Sequence, residues 1–160
     1  MPDAIVIRPE RPDQPEVVAL LTSLDAYLAT LYPPEANHIL GVSELLAPEV
    51  SFYVAQAGQV IVGTGAVRRM PAEPATGGQA YGEIKRMYVD PAVRGQRVGG
   101  RLLAALEDQL RREGYRQALL ETGEEQLEAV RLYRRAGYAP RPAFGGYPDN
   151  GLSAFYGKAL

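Results

Sequence analysis

The feature that most constrains this chain is one run, Glu83 to Leu103, in which a strand gives way to a basic bend and then a helix. Ile84, Met87, Tyr88 and Val89, set among charged neighbours, predict a strand over 80–89. Asp90-Pro91 stops it, because proline cannot donate to a ladder and Asp-Pro favours a turn. Arg94 to Gly100 is rich in arginine and glycine. Val98, Leu102, Leu103, Leu106 and Leu110 then recur at helical spacing.

Strand, basic glycine loop and helix start together make an anion site. The first helical turn carries unpaired N–H groups and the positive end of the macrodipole. Gly95, Gly99 and Gly100 lack a Cβ, so a phosphate can approach the backbone. Arg94, Arg97 and Arg101 add positive charge with no acid between them. A pyrophosphate is the expected ligand. The bland alternative is a tight loop with solvated arginines. Against it, two adjacent glycines opening a helix cost roughly 1 kcal/mol each relative to alanine, and something should offset that.

Other pyrophosphate folds fit less well. A P-loop needs Gly-x-x-x-x-Gly-Lys-Ser/Thr, with lysine on the phosphates and Ser/Thr on magnesium. Here Gly95 is followed by Gly100-Arg101-Leu102, so both groups are missing. The Gly-x-Gly-x-x-Gly dinucleotide pattern is absent too.

With 160 residues the chain is read as one domain, 1–160, large enough for a full core. A net charge of −2 gives no electrostatic case for nucleic acid or an acidic membrane as partner. The absence of cysteine rules out an acyl-cysteine intermediate. The single histidine, His38, argues against a histidine-based metal site, and no metal is expected. Met1-Pro2-Asp3 does not open a signal peptide, and no apolar run approaches the ~18 residues of a membrane span. A cytoplasmic location is expected.

The remaining elements follow from periodicity and punctuation. Ile5 to Ile7 form a first strand. Val17, Leu20, Leu21, Leu24, Leu28 and Leu31 predict a helix over 14–31, ended by Pro33-Pro34. Val42 to Leu46 reads as a short second helix. Strands at 52–56 and 59–68 flank Ala57-Gly58 and, with 80–89, predict an antiparallel meander. The third helix runs to Glu113 and stops at Gly114. Gln117 to Glu121 is a fifth strand, parallel to the fourth across the helix. Thr122 and Glu125 have capping-box spacing and predict a helix over 124–136. Short strands begin at Tyr138 and span 152–157. The order βααβββαβαββ gives an α+β class with a mixed, mostly antiparallel sheet of six to seven strands and about four helices.

The chain resembles the GNAT N-acetyltransferases over nearly its whole length. Arg94-Gly95-Gln96-Arg97-Val98-Gly99 is similar to the family's motif Gln/Arg-x-x-Gly-x-Gly/Ala, with Arg97 in place of the first glycine. Ala129, Leu132-Tyr133, Gly137 and Tyr138 resemble a second motif, Ala-x-x-Leu-Tyr-x-x-x-Gly-Phe/Tyr. The family often has Asn three residues before that alanine; here the position is Gln126. Tyr32-Pro33-Pro34-Glu35, Glu83 to Met87 and Phe144-Gly145-Gly146-Tyr147 resemble a bacterial subgroup with unassigned acceptors.

The resemblance implies acetyl transfer from acetyl-coenzyme A to a primary amine of a small molecule or peptide, by direct attack in a ternary complex. It implies coenzyme contacts from Met87, Tyr88, Val89, Arg94, Gly95, Gln96, Arg97, Val98, Gly99, Gly100, Gln126 and Tyr133. Backbone amides near Met87 to Val89 would polarise the thioester carbonyl, provided the sheet splays after the fourth strand. Glu83, working through a water, is the expected base, against the plainer reading of a strand charge solvated or paired with Lys85 or Arg86; Glu121 is its competitor, and Tyr133 is the expected acid, since a phenol holds its proton at neutral pH. Tyr27, Tyr32, Glu35, His38, Phe144 and Tyr147 are the expected acceptor-site residues. A homodimer is possible in such a family, although no apolar stripe is left over for one. The rival reading is a sensor or structural module that binds acetyl-coenzyme A without turnover.

Overall fold

The computed structural model describes residues 4–36, 38–148 and 151–160, and only the backbone of Glu35. Seven strands form one sheet: β1 (Ile5–Pro9), β2 (Val50–Ala57), β3 (Val60–Met70), β4 (Tyr81–Val89), β5 (Gln117–Gly123), β6 (Ala139–Pro140) and β7 (Ser153–Ala159). Their order is β1-β2-β3-β4-β5-β7-β6. Helices α1 (Pro15–Leu31), α2 (Val42–Leu45), α3 (Val98–Arg112) and α4 (Leu127–Arg135) cover its faces. The meander β1 to β4 is antiparallel, and only β4–β5 is parallel. The α+β class with a mostly antiparallel sheet is therefore the observed one.

Residues alternate between the two faces. Phe52 and Val54 of β2 join Val17, Leu21 and Leu45 beneath α1 and α2. Tyr53 and Ala55 join Leu102, Leu103, Leu106 and Leu110 of α3 on the other side. Burial on both faces is why β2 reads as a continuous apolar run. Each fully buried leucine of α3 contributes about 2 kcal/mol. That packing is close: a Cβ on Gly82 of β4 would lie 2.4 Å from Leu110 Cδ1 and 2.9 Å from Val67 Cγ2. Arg69 at the end of β3 grips the end of α3, donating to both carboxylate oxygens of Glu113 at 2.7 Å.

Two local expectations fail. Thr122 and Gly123 do not open a helix. They extend β5, whose ladder with β7 continues to Gly123↔Ser153. A full ladder outcompetes a cap, and α4 begins only at Leu127. Tyr138 does not start a strand. Its N–H bonds back to the Tyr133 carbonyl at 2.9 Å, and its hydroxyl donates to the buried Glu107 at 2.9 Å, so the strand waits until Ala139.

Among the described residues no helix is long and apolar enough to cross a membrane.

Gly82→Ala should overpack the contact with α3 and cost about 1–3 kcal/mol, read as a lower urea midpoint at unchanged slope. Glu113 has its carboxyl held below the usual range, first by its hydrogen bonds from Arg69. A lowered carboxylate contributes stability above the unfolded value of about 4.3 and loses it as pH falls through the folded value. Arg69→Gln should therefore be less stable than the parent by up to about 1 kcal/mol near neutrality. The difference should vanish in acid, as urea titrations at several pH values would show.

Candidate functional site

Strands β4 and β5 pair only at Gly82↔Ala118 and Glu83↔Leu119. Beyond these residues both strands continue, and the edge of β4 from Ile84 to Val89 has no partner on the β5 side. The expected splay is present. A bulge in β4 accompanies it. The β3 register passes from Ala66↔Lys85 to Thr64↔Tyr88, leaving one extra residue in β4. Arg86 takes it up in the left-handed region, at φ 56°. A non-glycine residue there costs about 1–2 kcal/mol. Thr64 Oγ1 donates to the Arg86 carbonyl at 2.9 Å, and the buried guanidinium donates to Asp25 of α1 at 2.5 Å, which offset that cost.

On the outer side of the split lies a groove of about 450 Å³ between the end of β4, the start of α3 and one side of α4. Met87, Tyr88, Val89, Arg94, Gly95, Arg97, Val98, Gly99, Gly100, Gln126 and Tyr133 line it. Of the coenzyme residues read from the sequence, only Gln96 does not; Arg101 also points elsewhere. Tyr27, expected at the acceptor site, is half exposed on this groove instead. The α3 N-terminus has Arg97 as its cap residue at φ 61°, with no side-chain cap, so the first amides are open. The glycines divide the work. Nothing lies within 4 Å of a Cβ on Gly95 or Gly100, whereas one on Gly99 would meet Leu132 Cδ2 at 2.9 Å. Gly99 thus serves the contact of α3 with α4 rather than ligand approach. Arg94 reaches across the groove to Glu128 at 3.1 Å.

Inside the split is a smaller cavity of about 90 Å³. Leu24, Met87, Gln126 and Tyr133 line both spaces, so the two adjoin at Tyr133. Its polar wall is Tyr32, His38, Lys85, Arg86, Glu121 and Ser153. Ser153 donates to Glu121 Oε2 at 2.8 Å, and His38 Nδ1 lies 3.5 Å from the same oxygen. Tyr32 accepts from the Glu125 N–H at 3.2 Å. Lys85 donates to the Tyr147 hydroxyl at 2.7 Å and to the His38 carbonyl at 3.3 Å.

Glu83 lines neither space. It is 2% exposed, accepts from the Tyr147 hydroxyl at 2.5 Å and lies 3.6 Å from Lys85. Burial, and then the Glu83 charge, push the Tyr147 phenol above its ordinary range, so Tyr147 is a donor here. The residue read as the base therefore stands behind Tyr147 and beside Lys85. Phe144 packs beneath them with Tyr81, Leu119 and Phe155 rather than against the cavity. The side chain of Glu35 lies outside the described residues. Tyr133 is 7% exposed, and its hydroxyl has no hydrogen-bond partner among the described residues. Burial, and then Glu121, raise its pKa well above the usual phenol range, so it is protonated at neutral pH.

Lys85 and Ser153 were not singled out in the sequence. Lys85 stands inside a quoted motif, but no spacing relates either residue to Glu121. Among the described residues no cluster of His, Asp and Glu is placed to hold a metal ion.

Backbone strain at the groove mouth is testable. Gly95 sits at φ 88°. Gly95→Ala should lower stability by about 1 kcal/mol, while Arg97→Gly should be at least as stable as the parent, because glycine tolerates the conformation that arginine is forced into. Denaturation midpoints of the two variants check this.

Comparison with known proteins agrees with this geometry. Residues 17–138 match the model of the acetyltransferase (GNAT) family. Over 160 residues, covering all of both chains, the sequence is 44% identical to an IAA acetyltransferase of Azospirillum brasilense. The crystal structure of a candidate acyl-CoA N-acyltransferase from Klebsiella pneumoniae subsp. pneumoniae is 35% identical, with a TM-score of 0.76 over 98% of this chain and 97% of that one. The PaiA N-acetyltransferase of Thermoplasma acidophilum, in complex with coenzyme A, has a TM-score of 0.75 over 98% of this chain and 99% of its own. At 16% identity that likeness is one of fold.

Proposed function

The chain belongs to the GNAT acetyltransferase family and is an acyltransferase, and on that premise we propose that it moves an acetyl group from acetyl-coenzyme A to a primary amine by direct attack. The observation that carries this reading is the pair of adjoining spaces that share Tyr133, one suited to a long polyanion and the other to a small polar acceptor. The single sheet running from β1 to β6 supports treating residues 1–160 as one catalytic domain.

The groove residues fit the carrier. Open amides at the α3 N-terminus, with Arg94 and Arg97 beside them, suit a diphosphate. The unpaired edge of β4 from Ile84 to Val89 offers main-chain donors to the pantetheine arm and the thioester carbonyl. Such preorganised donors are worth about 3 kcal/mol each where charge develops. Bound acetyl-coenzyme A supplies an activated acyl group and a thiolate leaving group. Tyr133 donates a proton to the departing sulfur. Glu83 holds Tyr147 and Lys85 in place and so shapes the acceptor wall.

The cavity favours a small acceptor with polar groups near its amine. The name of the Azospirillum brasilense relative places IAA among the compounds to test beside amino acids, small amines and peptides. The test is release of free thiol from acetyl-coenzyme A with each acceptor. Tyr133→Phe should lower kcat by about 10- to 100-fold with little change in coenzyme A affinity by calorimetry. Unchanged turnover in that variant would remove the acid role. Coenzyme A that fails to bind at millimolar concentration would remove the reading itself.

A further inference from the structure

The amine must lose a proton during attack, and Glu83, buried behind Tyr147, lines neither the groove nor the cavity. We propose that His38 is the catalytic base, with Glu121 its positioning residue. This rests on the acetyl-transfer reading of the site.

The imidazole is placed for the task. His38 lines the same cavity as Tyr133 and Met87, where acceptor and thioester would meet. Its Nδ1 is buried without a hydrogen-bond partner, and the nearest acceptor described is Glu121 Oε2, 3.5 Å away. A buried ring nitrogen facing a carboxylate is held as N–H, because an unprotonated nitrogen would set its lone pair against a negative charge. In the neutral ring that choice leaves Nε2 without a proton. No described residue bonds Nε2, and the side chain keeps 23% of its surface, so this nitrogen is left for the acceptor. A carboxylate facing the far nitrogen of a base sets its tautomer and aim together, as a third group does in a triad.

Described neighbours hold the ring and its backbone in place. Lys85 donates to the His38 carbonyl from β4. The Tyr147 ring meets the imidazole edge-on at 5.0 Å. Ser153 of β7 holds Glu121 by donating to the same oxygen that faces Nδ1. Charged groups beside the ring are thus Glu121 and, through the carbonyl, Lys85. Glu83 lies one hydroxyl further back.

The step balances. As the amine nitrogen bonds the acyl carbon, His38 Nε2 takes one of its protons. The carbon–sulfur bond breaks, and Tyr133 passes its proton to sulfur. Water then takes the proton from His38 and returns one to Tyr133, so amine and thioester become amide and thiol.

His38 is the only histidine in the chain, so its ring gives an unobscured nitrogen NMR signal. In the ligand-free protein, the neutral ring should show the Nδ1–H tautomer, and Glu121→Gln should shift it toward Nε2–H. An Nε2–H tautomer in the parent would overturn the proposal without touching the acetyl-transfer reading. In kinetics, His38→Ala should lose about 100-fold in kcat/KM while retaining coenzyme A affinity, and added imidazole should restore at least 10-fold of it. Imidazole should not rescue Glu83→Gln. Combining His38→Ala with Glu121→Gln should cost little beyond His38→Ala alone. Should His38→Ala fail to fold, His38→Gln takes its place. Near-parental turnover in a folded His38 variant sinks the assignment. A parent inert toward every amine, with coenzyme A still bound, tells against the transfer reading instead, and the tautomer result is read independently.

Discussion

The separation of β4 from β5 is the constraint on which the rest of this molecule depends. Two neighbouring strands share a ladder for two residues and then part. Everything chemical sits in the wedge they leave. The wedge persists because β4 carries an extra residue, Arg86, in a backbone conformation that arginine disfavours. A threonine hydroxyl and an aspartate from the first helix hold that residue where it is. Strain at one residue is thus tied to two distant parts of the chain.

The wedge has two walls of different character. Its outer groove works mainly through main-chain groups at a helix start, where amide geometry is set by the fold. Its inner cavity works through side chains that support one another from three strands and two loops. Tyr147 answers to Glu83, Lys85 to Tyr147, His38 to Lys85 and Glu121, and Glu121 to Ser153. Such a network is rigid when complete and costly when broken, because each buried polar group relies on the next.

This difference explains what could be read from the residues alone. The groove was legible because its parts are consecutive: strand, Asp-Pro stop, basic loop and leucine-striped helix occupy about one fifth of the chain. Tyr133 came from a resemblance, and the structure sets it where groove and cavity meet. The cavity was legible only in part: Tyr32, His38 and Glu121 were named as expectations, whereas the parts of Lys85 and Ser153 in it were not. His38, Lys85, Glu121 and Ser153 come from segments with no shared period, so only folding brings them together. The surroundings of Glu83 were hidden for the same reason: its strand was right, but nothing local reports that Tyr147 stands in front of it. Thr122 misled because local capping chemistry lost to a ladder formed with a strand thirty residues on.

The bare α-carbon of Gly99 against Leu132 has one more consequence. Helices α3 and α4 are opposite jaws of the outer groove, and they touch at that point. The aperture is therefore gauged by a missing methyl group. Bulkier acyl carriers cannot be admitted by remodelling one jaw alone, because the pivot itself would have to be recut.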